Sequence, residues 1–593
     1  MLPNTFGIAK QSFLIYLCRK PKKMNYKITY TQPNNHYIDI EYTIDKVNSN
    51  ELLIQLPAWR PGRYELGNFA KNVQKWEAFD EKGKSLKCEK ISKDLWSVQS
   101  KGVKAVVVKY NYYATELNAG SSYLDESQLY VNPVNCFLYV PDRINDVCEI
   151  ELVIPKNFKV ATGLTSKSKN KFTVKDFHEL ADSPFIASDS LKHHIFTEQK
   201  VNFNIWFNGE SKPDFKKIEN DFRKFCKAQI NAFGDFPVKD YHFLIQVLPY
   251  KAYHGVEHHN STVITIGPSY DVFNNADWYD ELLGVSSHEL YHTWNVKQIR
   301  PIEMFPYDYT KENYSKMGYL CEGVTTYMGD KMLLTSGVFD WNQYAKTFDE
   351  LLLKHYHNTA IDNYSVVQSS FDTWLDGYVK GTPGRKTSIY TEGALIAFIT
   401  DVFVLESSGN KKSLNNIMKT LYTDFAKKGK GVSDEDYKHT VEKIAGKSFD
   451  KIYTNFIHDK KDFTPVLKES LNYIGCDLKI EPSKNFNEAY LGFKVRYENN
   501  KCLIDIIFPN SIAELQGLSI NDEIISINGY KIVNDLEQWS NYFNKDEQFF
   551  IVKKELGLTE PISLKSGKQI CFKTYTVTTP DFTNKNLVSW ETR

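Results

Sequence analysis

The chain has no run of about 18 apolar residues, the length a membrane-spanning helix needs. The best stretch near the start, Phe13-Leu14-Ile15-Tyr16-Leu17-Cys18, is too short. Only Lys10 precedes it, so it makes a poor secretory signal. Basic residues follow it instead, and Met24 opens a cleaner strand pattern. Residues 1–23 therefore read as an N-terminal extension or an upstream start. Neither charge sign is in excess, with 73 Lys+Arg against 73 Asp+Glu, so neither nucleic acid nor a membrane surface is expected as the main partner. The nine cysteines are odd in number and scattered, and no C-x-x-C occurs. That speaks against a disulfide framework and a cysteine-based zinc site, and points to thiols in a reducing compartment, with the cytoplasm as the expected location. Fixed-period repeats and low-complexity tracts are also missing.

What is present is core material. Hydrophobic residues make up 42% and aromatics 14%, which excludes global disorder. A length of 593 residues implies three or four domains. Residues 24–200 read as β-rich: Tyr37 to Ile44 alternates at period two, and Leu52–Leu56, Val103–Tyr113 and Cys148–Ile154 are further strand candidates separated by turns. This suits a sandwich-like domain. From 201 to 470 the pattern becomes α+β with a mostly helical second half; helical spacing runs over 278–296, 317–335, 341–357, 390–406, 412–425 and 434–445. Strands return in 471–560, a small β-rich domain, followed by a tail over 561–593. The fold class is multidomain α+β.

The sharpest motif is His288-Glu289-Leu290-Tyr291-His292, an H-E-x-x-H within a helical run. Two histidines at i and i+4 share a helix face, so both imidazoles reach one metal. Glu289 then points toward a metal-bound water and acts as general base. A third ligand is required, and Glu322, 30 residues beyond His292 on another predicted helix, completes a His-His-Glu zinc set of one ion per chain.

The run from His288 to Pro301 (H-E-L-Y-H-T-W-N-V-K-Q-I-R-P) resembles the signature of the PDZ-containing glycyl aminopeptidase family, zinc metallopeptidases of the gluzincin type. Tyr253-His254-Gly255-Val256-Glu257-His258 resembles the exopeptidase loop of such enzymes, Glu322 to Tyr327 their third-ligand helix, and Leu56 to Tyr64 a Pro-rich turn of their N-terminal domain. The resemblance implies a β-sandwich-like N-terminal domain, a thermolysin-like catalytic domain and a C-terminal PDZ domain. It implies that Glu257 holds the substrate's α-amino group by a charge-assisted hydrogen bond, with Gly255 bringing backbone close to the peptide. It also implies that Tyr390, in Tyr390-Thr391-Glu392-Gly393-Ala394, stabilises the oxyanion; Glu392 stands where relatives usually carry Lys, and His254 where they often have Gly.

His258 and His259 read as polar loop residues, Asp330 as support for a ligand histidine, and Arg300 as a loop pin or a substrate contact. Tyr490-Leu491-Gly492-Phe493 resembles a PDZ carboxylate loop, so Leu491, Gly492 and Phe493 are expected to meet a peptide C-terminus. Asn528-Gly529 predicts a hairpin. The expected activity is removal of an N-terminal Gly or Ala from peptides with a free N-terminus, a Glu289-activated zinc water attacking the carbonyl. A zinc endopeptidase or oligopeptidase, and a PDZ adaptor on an inactive scaffold, are the rival readings.

Overall fold

The computed structural model describes residues 23–379 and 381–593. The short apolar stretch at 13–18 and Cys18 lie outside the described residues.

The N-terminal domain is built from the alternation read above. Tyr37–Asp45 buries every second residue and sits inside a seven-stranded sheet. It pairs antiparallel with Lys23–Thr29 on one side and with Ala105–Tyr113 on the other. A four-stranded sheet containing Gln128–Val131 and Phe185–Ser188, and a three-stranded one containing Glu51–Gln55, close the same core. Tyr26 stacks on Tyr42 at 4.6 Å and on Phe137 at 5.0 Å within it. The arrangement is sandwich-like because each sheet offers one apolar face to one interior.

The second block opens on a five-stranded sheet in the order Lys192–Glu198, Val201–Asn208, Asp240–Val247, Ser261–Gly267, Ala252–Glu257. The hairpin Lys192–Glu198/Val201–Asn208 belongs to this sheet, so the divide between domains falls near 190 and not at 200. Three central strands run parallel, the first two joined through the helix Phe215–Phe233. Ala252–Glu257 is the antiparallel edge strand. The helices that follow match the sequence spacing closely: Trp341–Tyr356, Ile389–Ser407, Leu414–Asp424 and Asp434–Ala445. Ile389–Ser407 is buried along nearly its whole length, as befits a central helix.

Two helices differ from expectation. Ala276–Tyr291 ends at His292, because Thr293 to Ile299 folds into tight turns. The run expected from 317 begins instead as a π-helical turn, Tyr319–Val324, before continuing as Thr325–Thr335. There Gly323 and Gly393 cross without side chains, which lets this turn lie directly on the central helix.

The PDZ domain forms a separate sheet from Phe493–Glu498 to Thr559–Leu564 over its own core. Its last strand overruns the expected limit at 560. Asn528 (φ 47°) and Gly529 (φ 84°) form the expected two-residue turn. Residues 561–593 do not form a free tail. Lys573–Val577 pairs with Leu478–Pro482, the strand leading into the domain, and the helix Lys585–Glu591 returns to the core of the second block. There Trp590 is buried and donates to Tyr327 Oη at 2.9 Å.

Candidate metal centre and peptide-binding cleft

The helix Ala276–Tyr291 starts at Asn275, whose side chain accepts from the Asp277 N–H. At its far end His288 Nε2 and His292 Nε2 stand 3.0 Å apart. Glu322 Oε2, from the π-helical turn, lies 3.4 Å from His292 Nε2 and 3.8 Å from His288 Nε2. Three donors held by one zinc at about 2.0–2.1 Å in a tetrahedron stand roughly 3.3–3.5 Å from one another, so this set fits the ion.

Although burial opposes it, Glu322 lifts His292 to about 10, whereas burial and His292 push His288 down to about 3.

Supporting contacts hold each donor. His292 Nδ1–H donates to the Asn295 carbonyl at 2.9 Å, which leaves Nε2 facing the site. The Asn295 amide in turn donates to the Leu320 carbonyl at 2.8 Å, tying the histidine helix to the Glu322 turn. Tyr64 Oη, from the N-terminal domain, donates to Glu322 Oε1 at 2.8 Å. Val296 sits at φ 85°, an outlier for a β-branched residue. Its N–H bonds the Ile299 carbonyl at 3.0 Å, and Arg300 Nε donates to its carbonyl at 3.3 Å.

Glu289 and Glu257 face the same space. A carboxylate oxygen of each lies in one cluster with a ring nitrogen of His292, the three atoms within 4.8 Å of one another. Glu289 Oε2 and Glu257 Oε1 are buried and have no hydrogen-bond partner among the described residues. Burial, reinforced by Glu257 and Glu322, pushes Glu289 well above the usual carboxylate range, with His292 opposing. The edge strand passes over Glu289, where any side chain at Gly255 would collide with its carboxylate, and the N-terminal domain's turn covers Glu257, where any side chain at Gly62 would do the same. Tyr390 Oη lies 3.2 Å from Tyr378 Oη, and burial together with Glu322 keeps its phenol protonated. Glu392 pairs with buried His355 Nδ1 at 2.8 Å.

The remaining expected residues lie elsewhere. Asp330 sits beside Thr347, Glu281 and Glu350, not behind a ligand histidine; the wide π turn breaks the helical stripe that linked it to Glu322. His258 Nδ1 meets Asp182 at 3.0 Å and Lys297 meets it at 2.8 Å, a buried lock between domains. The His259 N–H also donates to Asp182, at 3.0 Å. Arg300 pins its loop, stacked over Tyr307 at 3.8 Å. In the PDZ loop Leu491 and Phe493 are buried, and the Gly492 N–H is spent on the Asn487 carbonyl at 2.8 Å. Cys571 N–H donates to the Ala489 carbonyl at 2.8 Å, so the returning chain lies against this loop.

Sequence reasoning gave no role to Tyr64, Asn295 or Tyr378. Tyr64 and Asn295 do stand inside the motifs quoted, the only signal that marked them.

The chain matches the Peptidase M61 N-terminal domain over residues 25–189, the M61 glycyl aminopeptidase over residues 281–396 and a PDZ domain over residues 479–545. An aminopeptidase N family protein from Idiomarina loihiensis is 26% identical, with a TM-score of 0.89 covering 96% of this chain and 100% of that one. An M1 zinc metallopeptidase from Deinococcus radiodurans is 12% identical, with a TM-score of 0.47 over 74% of this chain and 94% of that one. No curated protein matches the chain. Fold and site define a zinc metallo-aminopeptidase, a hydrolase of peptide bonds. Within that class the chain carries an M61 N-terminal domain, an M61 glycyl aminopeptidase domain and a PDZ domain.

Proposed function

We propose that the chain removes a single N-terminal residue, Gly or Ala by preference, from peptides with a free α-amine. One zinc per chain, on His288, His292 and Glu322, would supply Lewis-acid polarisation of the scissile carbonyl and a lowered pKa for the attacking water. Glu289 accepts the proton of that water and returns it to the leaving amine. Glu257 holds the α-ammonium, and Gly255 lets the substrate backbone lie along the edge strand. Tyr390 donates to the developing oxyanion.

The observation that carries this reading is the nearness of Glu257 to Glu289. A carboxylate oxygen of each lies in one 4.8 Å cluster with a ring nitrogen of His292, so the proposed amine anchor stands beside the proposed base. The Gly/Ala preference rests on the M61 glycyl aminopeptidase match alone. The eight described cysteines are all free, which supports a reducing compartment such as the cytoplasm. A peptide C-terminus is the expected guest of the PDZ domain.

The test pairs metal content with hydrolysis of Gly- and Ala-anilides, free and N-acetylated. One zinc per chain with cleavage of the free-amine substrates alone is expected. Equal cleavage of acetylated substrates would establish an endopeptidase, and neither zinc nor cleavage would establish an adaptor.

A further inference from the structure

A cavity of about 200 Å³ opens in the N-terminal domain beside the turn that covers Glu257. Arg60, Arg63, Asn118, Ser121 and Asn135 are among its lining residues. Arg60 is only 5% exposed. Among the described residues its one hydrogen bond runs from Nη1 to the Pro61 carbonyl at 3.4 Å, and no carboxylate lies within 4.0 Å of it. A buried guanidinium is costly unless its donors are met. Space is kept for it: any side chain at Gly120 would collide with the guanidinium. The cavity thus faces a forked cation short of acceptors.

We infer that Arg60 anchors a second ligand site in this cavity, one that takes a carboxylate, as at the C-terminal residue of a peptide. The fork of the guanidinium matches two carboxylate oxygens. The site communicates with the cleft through Gly62, which sits against the Glu257 carboxylate two residues after Arg60. Filling it offsets a positive charge that opposes the incoming α-ammonium; this coupling rests on Glu257 being the amine anchor, whereas the binding itself does not. The carboxylate has two sources, the far end of a short substrate or a free acylated amino acid.

N-acetylglycine titrated by calorimetry into the zinc-loaded enzyme is expected to bind saturably, and neutral N-acetylglycinamide at least about tenfold more weakly. Arg60→Gln and Arg60→Lys are expected to weaken N-acetylglycine by about tenfold or more, the Lys variant because it keeps the charge and loses the fork. If the substrate is the source, glycyl-alanine exceeds glycyl-alanine amide in kcat/KM and N-acetylglycine competes with it. If a free ligand is the source, both are hydrolysed alike and N-acetylglycine lowers the KM of each. Equal binding of N-acetylglycine and its amide by the wild-type enzyme would overturn the site even if both variants failed to fold. Unchanged affinity in a folded Arg60→Gln would do the same. Hydrolysis of glycine anilide, which has no carboxylate, reports separately on the aminopeptidase reading.

Discussion

Two parts of this molecule are candidates for gripping the end of a peptide, and they are prepared differently. The edge strand Ala252–Glu257 is proposed to meet an N-terminus, the loop Tyr490–Phe493 a C-terminus. Both are opened by a glycine, Gly255 against Glu289 and Gly492 against Ser511 and Cys571. At the first, buried polar atoms are left unpaired: Glu257 Oε1 and Glu289 Oε2. At the second, the Gly492 amide is already spent on Asn487, and the returning chain bonds to Ala489, while Asn487 Oδ1 is likewise buried with no partner among the described residues. Folded proteins rarely leave buried polar atoms without partners. The difference lies in kind: the first site leaves two carboxylate oxygens unpaired, the second a neutral amide oxygen with its backbone donor already used.

That contrast can be broken at four places. Glu289→Gln should retain zinc and lose turnover by about 10²–10⁴-fold, measured as kcat beside metal content; full activity would remove Glu289 from the chemistry. Glu257→Gln should lower kcat/KM for free-amine anilides by about 10–100-fold. Unchanged kcat/KM for those anilides would deny Glu257 its role as amine anchor. Tyr64→Phe should weaken zinc binding by about 10–100-fold in a chelator competition, because Glu322 loses the phenol that fixes it. Gly492→Ala should change anilide hydrolysis by less than roughly twofold, since distant sites contribute independently. Yet it forces a side chain into φ 84° against Ser511, so hydrogen exchange should quicken around residues 487–515.

The sequence made the local parts of this site readable and left the distant ones dark. His288, Glu289 and His292 are one helical turn, so spacing alone declares them. Glu322 needed only the chemical demand for a third ligand on a nearby helix. Tyr64 lies 258 residues before the carboxylate it holds, and no periodicity spans that gap. Strand alternation marks Tyr37–Asp45, yet the boundary expected at 200 cuts between the two strands of the hairpin Lys192–Glu198/Val201–Asn208, because pairing partners leave no trace in a strand's own pattern. The π turn at Tyr319–Val324 was equally invisible, and it misdirected Asp330.

The pairing of Leu478–Pro482 with Lys573–Val577 gives the PDZ domain two attachments to the catalytic block in place of one. It is an insertion on a ribbon, not a bead on a string. A bead on one flexible strand adds local concentration and little else. A ribbon resists twisting, so a guest seized by the domain would reach the cleft in a restricted orientation. The same topology separates two kinds of surgery: rejoining the ribbon after excising its contents preserves the seat of Trp590 under Tyr327, whereas cutting the chain at the ribbon's first strand removes it.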